Sequence, residues 1–167
     1  AAMATYCGQN VGAGKLDRLS QGVRSCSLLG LVYALIALGG MLLFAPKCAM
    51  LFLDPGEEQL ALLVRLTAQY ITTLAAFFFP LALVNILRFS IQGMGYSRLS
   101  LISGLLEMLA RTVVSLWAVP AFGFDAACLA SPFAWLLADC FLIPAFYGCL
   151  NARRRQAARV RQELPSE

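Results

Sequence analysis

Hydrophobic positions along this chain come in long blocks separated by short polar connections. Each block reaches the roughly 20 apolar residues that an α-helix needs to cross a hydrocarbon core about 30 Å thick. The first runs from Val23 to Ala45, where Pro46 and Lys47 close it. A connection from Lys47 to Glu58 follows, carrying the turn signal Asp54-Pro55-Gly56, in which proline presets φ and glycine accepts the tight geometry. The second block, Leu60 to Phe89, is long for one crossing and holds Pro80, which removes a helix hydrogen bond and predicts a kink. The third, Leu99 to Val119, is bounded by Arg98 and Pro120. After the tight loop Gly123-Phe124-Asp125 comes the fourth, Ala126 to Leu150, containing Pro132, Asp139 and Pro144. Ala1 to Tyr6 reads as the end of a helix whose start is missing. The glycine-rich run after it is expected to end that helix and turn the chain into a short polar helix, Lys15 to Arg24. The prediction is an all-α polytopic membrane bundle, with four complete transmembrane helices and the end of a fifth.

Composition agrees with that solvent. The 167 residues are 60% hydrophobic and 13% charged, where a soluble domain carries about 25% charge. The mean hydropathy is +0.74. The opening Ala1-Ala2-Met3-Ala4 lacks the charged start and short apolar core of a signal peptide, so the chain reads as the C-terminal piece of a longer protein.

The net charge of +4 is informative through its placement. Ten of the 13 Lys and Arg residues fall on one side: Lys15, Arg18 and Arg24 before the first span, Arg88 and Arg98 around the loop between spans two and three, and Arg153, Arg154, Arg155, Arg159 and Arg161 in the tail. The other side has Lys47 and Arg65 beside an acidic loop. By the positive-inside rule the ten are cytoplasmic, and so is the C-terminus, in a multi-pass protein of the cell membrane. Residues 151–167 form a basic cytoplasmic tail, either helical or disordered. Arginines placed directly against a span bespeak the membrane surface and its lipid, not nucleic acid.

Six cysteines stand mostly inside apolar segments and never as CxxC, and with no histidine in the sequence a zinc site would have to come from scattered thiols alone. They read as small hydrophobes, with a Cys48–Cys128 bridge left open. No metal site or cofactor is expected. The run Gly8 to Lys15 invites a phosphate-loop reading, but Gln9 stands where that pattern needs glycine and Leu16 where it needs Ser or Thr. A dinucleotide fingerprint fails as well, at Asp17.

The third span holds the residues most in need of explanation. At 1.5 Å rise per residue, Glu107 lies about 13 Å along the helix from Arg98, near mid-membrane. Insertion there disfavours an acid or an arginine by about 2.5 to 3.5 kcal/mol each, so such residues are paired, face a polar interior, or work. At 100° per residue, Ser100, Ser103, Glu107, Arg111 and Ser115 share one face. With the Pro80 kink ignored, Tyr70, Asn85, Arg88 and Gln92 do the same on span two, and Cys128, Pro132, Trp135 and Asp139 on span four. Three stripes are what helices around a cavity present. A plainer reading stands beside each. Glu107 and Arg111 are an i,i+4 pair that neutralises itself and steadies one helix. Arg88 snorkels to the interface. Tyr70, Asn85 and Gln92 act as inter-helix glue. Asp139 has no partner one turn away on its own helix and needs an inter-helix partner, a water or a proton.

The run Gly8-Gln9-Asn10-Val11-Gly12-Ala13-Gly14-Lys15, followed by Asp17-Arg18, resembles the signature after helix eight of multidrug and toxic compound extrusion (MATE) transporters. Arg88-Phe89-Ser90-Ile91-Gln92-Gly93-Met94-Gly95 and Ser131-Pro132-Phe133-Ala134-Trp135 resemble bacterial members in the same order. The resemblance implies a twelve-helix, two-lobe antiporter, of which residues 1–150 supply the end of helix eight and helices nine to twelve. The N-terminal lobe of the same polypeptide would be its partner. It further implies export of small organic, often cationic, compounds coupled to Na⁺ or H⁺, with no enzymatic activity. The acids that one branch of the family carries on helix ten have no counterpart between Leu66 and Leu87. Glu107 and Asp139 are candidates from the cost of their burial alone, with Arg111, Arg88, Asn85, Gln92, Tyr70 and Trp135 lining the pathway. A lipid-linked sugar flippase is the alternative, favoured by a basic cavity to which Arg88 and Arg111 would contribute. A non-transporting membrane subunit would leave three polar stripes unexplained.

Overall fold

A computed structural model describes residues 2–53, 56 and 58–163, and among them the chain is helical with no strand. The elements are α1 (Ala2–Gly12), α2 (Asp17–Met50), α3 (Leu60–Ala76), α4 (Phe78–Gly93), α5 (Ser97–Val113), a π-helical turn (Val114–Ala118), α6 (Val119–Phe122) and α7 (Phe124–Glu163). The turn expected at Asp54-Pro55-Gly56 falls largely on residues 54 and 55, which lie outside the described residues, as do residues 57 and 164–167.

Prolines shape these helices in two ways. Pro80 has no N–H for the carbonyl four residues back and its ring crowds that carbonyl. The second span accordingly breaks at Phe77, and α3 and α4 meet at 48°. Pro120 acts on Leu116 in the same way, and the preceding turn widens to π geometry. The kink is as the sequence predicts. Pro46, by contrast, does not close the first span. It sits inside α2, which continues to Met50.

Other boundaries also move. The expected polar helix Lys15 to Arg24 is the first part of α2, which runs unbroken for 34 residues through Gly22, Gly30, Gly39 and Gly40 because good helix formers such as Leu and Ala surround them. The glycine run does not form a loop either: α1 carries through Gly8 and Gly12, and the chain turns only at Ala13 to Leu16. There Gly14 has φ +69°. Gly14 N donates to Val11 O at 3.1 Å and Lys15 N to Asn10 O at 2.9 Å, the paired bonds of a Schellman cap. The α4 end repeats this with Gly95 at φ +91°, Gly95 N to Gln92 O at 2.9 Å and Tyr96 N to Ile91 O at 3.1 Å. At the other end of the tail question, α7 extends without interruption to Glu163, so the tail's described part is helical.

α7 is the centre of the bundle, packed against α3, α4 and α5. Its buried positions Ala134, Trp135, Ala138, Leu142, Phe146, Cys149 and Leu150 recur every three to four residues, and they meet Val84, Leu87 and Ile91 of α4. α2 packs on α3 and α4, and α1 on the end of α4. That last approach is close. A Cβ at Gly93 would come within 2.3 Å of the Ala4 carbonyl oxygen, so glycine is required by contact, not by φ. All six cysteines are free, with Cys7, Cys128 and Cys149 buried, Cys26 and Cys48 half-buried and Cys140 exposed. The Cys48–Cys128 bridge does not form.

Candidate functional site

α4 and α5 form an antiparallel hairpin about the Gly93–Tyr96 turn, so each helical turn back along α4 meets one turn forward along α5. Nearest the turn, Gln92 Nε2 donates to Ser100 Oγ at 2.8 Å. One turn deeper, Arg88 Nε donates to Ser103 Oγ at 3.1 Å and Arg88 Nη2 is ion-paired with Glu107 Oε1. Ser103 Oγ in turn donates to Ser100 O at 2.9 Å. Arg111 Nη2 reaches Glu107 Oε2 from the far side at 3.4 Å. The third-span stripe is thus an inter-helix polar seam from Ser100 to Glu107.

This changes the reading of Arg88. A snorkelling residue would send its head group to the interface, whereas Arg88 folds inward onto Glu107, with 23% of its side chain exposed. Glu107 is buried between the two guanidinium groups, and the i,i+4 partner Arg111 is the more exposed of them at 45%. The pair expected from sequence exists but is the outer half of a three-residue cluster. A signal for the inner half was present: folding the chain about Gly93 and Gly95 brings Arg88 opposite the 103–107 turn.

α7 supplies the second acid. Cys128, Pro132, Trp135 and Asp139 do share a buried face, as the helical period predicts. Asp139 is 6% exposed, lies within electrostatic reach of Glu107, and its Oδ1 has no hydrogen-bond partner among the described residues. A buried carboxylate oxygen without a donor is costly unless it takes a proton or a ligand. The two arginines and Glu107 leave one positive charge over, so the four groups are neutral with Asp139 ionised and +1 with it protonated.

Several expected site residues are placed elsewhere. Tyr70 is 39% exposed on α3, beyond the Pro80 bend, and does not join Arg88 and Gln92 on one face. Asn85 Nδ2 donates to Leu81 O on its own helix at 2.9 Å, so it is not inter-helix glue. Ser115 is exposed because the π turn shifts it off the stripe. Trp135 packs into the core. Gly8, Gln9, Asn10, Gly12, Ala13, Gly14 and Lys15 lie in the second half of α1 and in the turn after it. There Val11, Gly14 and Leu16 line a recess of about 280 Å³ with Arg153, Gln156 and Ala157 of α7. Asn10 Nδ2 is used locally, donating to Tyr6 O at 2.9 Å.

The contacts made by the tail have no signal in the residue pattern. Arg153 Nε donates to Met94 O at 3.0 Å, its Nη2 donates to the same oxygen, and its guanidinium stands 5.3 Å over the Tyr96 ring. Glycine at 95 is favoured by its φ of +91°, and a Cβ there would also push against Arg153 Nη2, 2.7 Å away. Arg154 Nη2 bonds Asp17 Oδ1 at 2.8 Å.

A polytopic membrane helix bundle whose helices meet through buried ionisable side chains is the class that fold and site define together. Residues 1–117 match the MatE family model, and the chain belongs to the MatE family. Its members are membrane transporters of the MATE and flippase type. No curated protein and no solved structure matches the chain significantly.

Proposed function

We propose that this chain is the C-terminal lobe of a secondary active efflux transporter of the cell membrane. It exchanges an inward flow of Na⁺ or H⁺ for outward movement of amphipathic, often cationic, organic compounds, with the tail cytoplasmic. The observation that carries the reading is Asp139, a buried carboxylate with one oxygen left without a donor beside an acid that two arginines already satisfy. Such a group is the natural place for a monovalent cation or a proton, and the membrane position makes an ionisable residue without a structural partner a functional one. Loading Asp139 changes the charge of the cluster by one unit. That step biases the packing of α7 against the α4–α5 hairpin, and the break at Phe77 lets the outer half of the second span move independently. The same geometry argues against a basic flippase cavity, because Arg88 is turned onto Glu107 and its charge is spent there.

The test is transport by the full-length protein in membrane vesicles. Asp139→Asn is expected to lower ion-driven ethidium efflux at least tenfold while leaving expression and membrane insertion unchanged. Unchanged efflux with unchanged ion dependence would overturn the reading, and translocation of lipid-linked sugar without ethidium efflux would favour the flippase.

A further inference from the structure

We infer that a crevice between α2, α4 and α7 is a binding site for an anionic phospholipid of the leaflet on the tail side. α2 and α7 each pack on α4 but stand apart from one another over it. Between them lies a space of about 420 Å³ walled by Leu31, Phe79, Leu83, Leu87, Ile143 and Tyr147. Its polar lining is at one end, where Arg24 and Ser27 of α2 stand.

Arg24 is exposed and, among the described residues, makes no hydrogen bond and no ion pair. Two other arginines at this end of the bundle are engaged, Arg153 with Met94 O and Arg154 with Asp17. Arg24 therefore holds a free positive charge at the mouth of an apolar slot. The Arg154–Asp17 bond places the start of α2 beside the tail-side end of α7, so that mouth opens at the membrane surface where the arginine-rich tail emerges. From Leu87 back to Phe79 the wall rises by about 12 Å, close to the roughly 15 Å depth of one leaflet's hydrocarbon. An apolar slot nearly one leaflet deep, with an unpaired guanidinium and a hydroxyl at its mouth, complements an acyl chain under a phosphate-bearing anionic head group. A cationic compound of the kind proposed as cargo is repelled at the same mouth, so the slot and the Asp139 cluster take ligands of opposite sign.

Binding of phosphatidylglycerol and phosphatidylcholine to the full-length protein, counted by native mass spectrometry from mild detergent, tests this independently of transport. Phosphatidylglycerol is expected to bind in preference, and Arg24→Gln to reduce that preference about fivefold, the effect of one basic residue on an anionic lipid. Leu83→Trp, which fills the slot, is expected to remove tight binding of both lipids. Arg98→Gln alters an exposed arginine near the same surface but outside the crevice, and is expected to leave the preference intact. Equal binding of the two lipids would overturn the inference. So would an equal loss in Arg98→Gln and Arg24→Gln, since that is the signature of a diffuse basic belt. Arg24 is exposed, so its substitution leaves the fold untouched even where Leu83→Trp disturbs packing.

Discussion

Glu107 is held by two guanidinium groups of unequal standing. Arg88 is mostly buried, while the half-exposed Arg111 is screened and contributes less. Removing one partner of a buried ion pair leaves the other uncompensated, which costs far more than replacing both. Glu107→Met is therefore expected to destabilise the protein by about 3 kcal/mol, whereas adding Arg88→Met should restore about 2 kcal/mol of that loss. Arg111→Met alone should cost less than about 1 kcal/mol. Denaturant unfolding in mild detergent of the single and double variants gives the coupling directly. Strict additivity of Glu107→Met and Arg88→Met would show that the pair is not coupled.

At the scale of elements, packing around one glycine yields a sharp contrast. Gly93 lets α4 touch the backbone of α1, and a methyl group there would stand 2.3 Å from Ala4 O and 2.9 Å from Cys7 Cβ. A backbone carbonyl cannot swing aside as a flexible side chain would. Gly93→Ala is expected to cost about 2 kcal/mol as the helices part. Gly104→Ala, where nothing lies within 4 Å of the added Cβ, should be neutral or stabilising by up to about 1 kcal/mol because alanine favours the helix. Thermal unfolding of the two variants would separate them, and equal midpoints would refute the packing argument. The same residues show what sequence reasoning reaches. The apolar blocks and the Pro80 kink were legible because each follows from local chemistry, namely the length of an unbroken hydrophobic run and a missing N–H. The continuation of α1 through Gly8 and Gly12 was not, because glycine also serves close helix contact, and composition alone does not tell contact from turn. Arg88 was misread for a related reason. A lone arginine near a span end carries no mark of the helix that faces it, and only the hairpin register gives it Glu107. Asp139 was legible as a residue lacking a partner on its own helix, which the structure repeats for its Oδ1.

For the whole molecule, the number of crossings hinges on the bent pair α3 and α4, which is either one broken span or a re-entrant loop. The two readings differ in where the ends of the other helices fall. A re-entrant pair would leave the α4–α5 turn on the same side as the α2–α3 connection, and would put the start of α2 and the end of α7 on opposite membrane faces. Yet Arg154 bonds Asp17 at the start of α2, and Arg153 bonds Met94 in the α4–α5 turn, so these three points lie at one end of the bundle. At the other end Gln69 Nε2 of α3 donates to Asp125 Oδ1 at the start of α7, at 2.7 Å. Only four crossings satisfy both sets of contacts. With the excess of Lys and Arg at the tail end, the positive-inside rule predicts that this end is cytoplasmic. Reporter fusions to the full-length protein should then give fluorescent protein at the tail or in the Gly95 turn and active periplasmic phosphatase at Gly123. Phosphatase activity at both Gly95 and the tail, with none at Gly123, would mean the reverse orientation. Opposite results at the Gly14 turn before α2 and at the tail would mean three crossings.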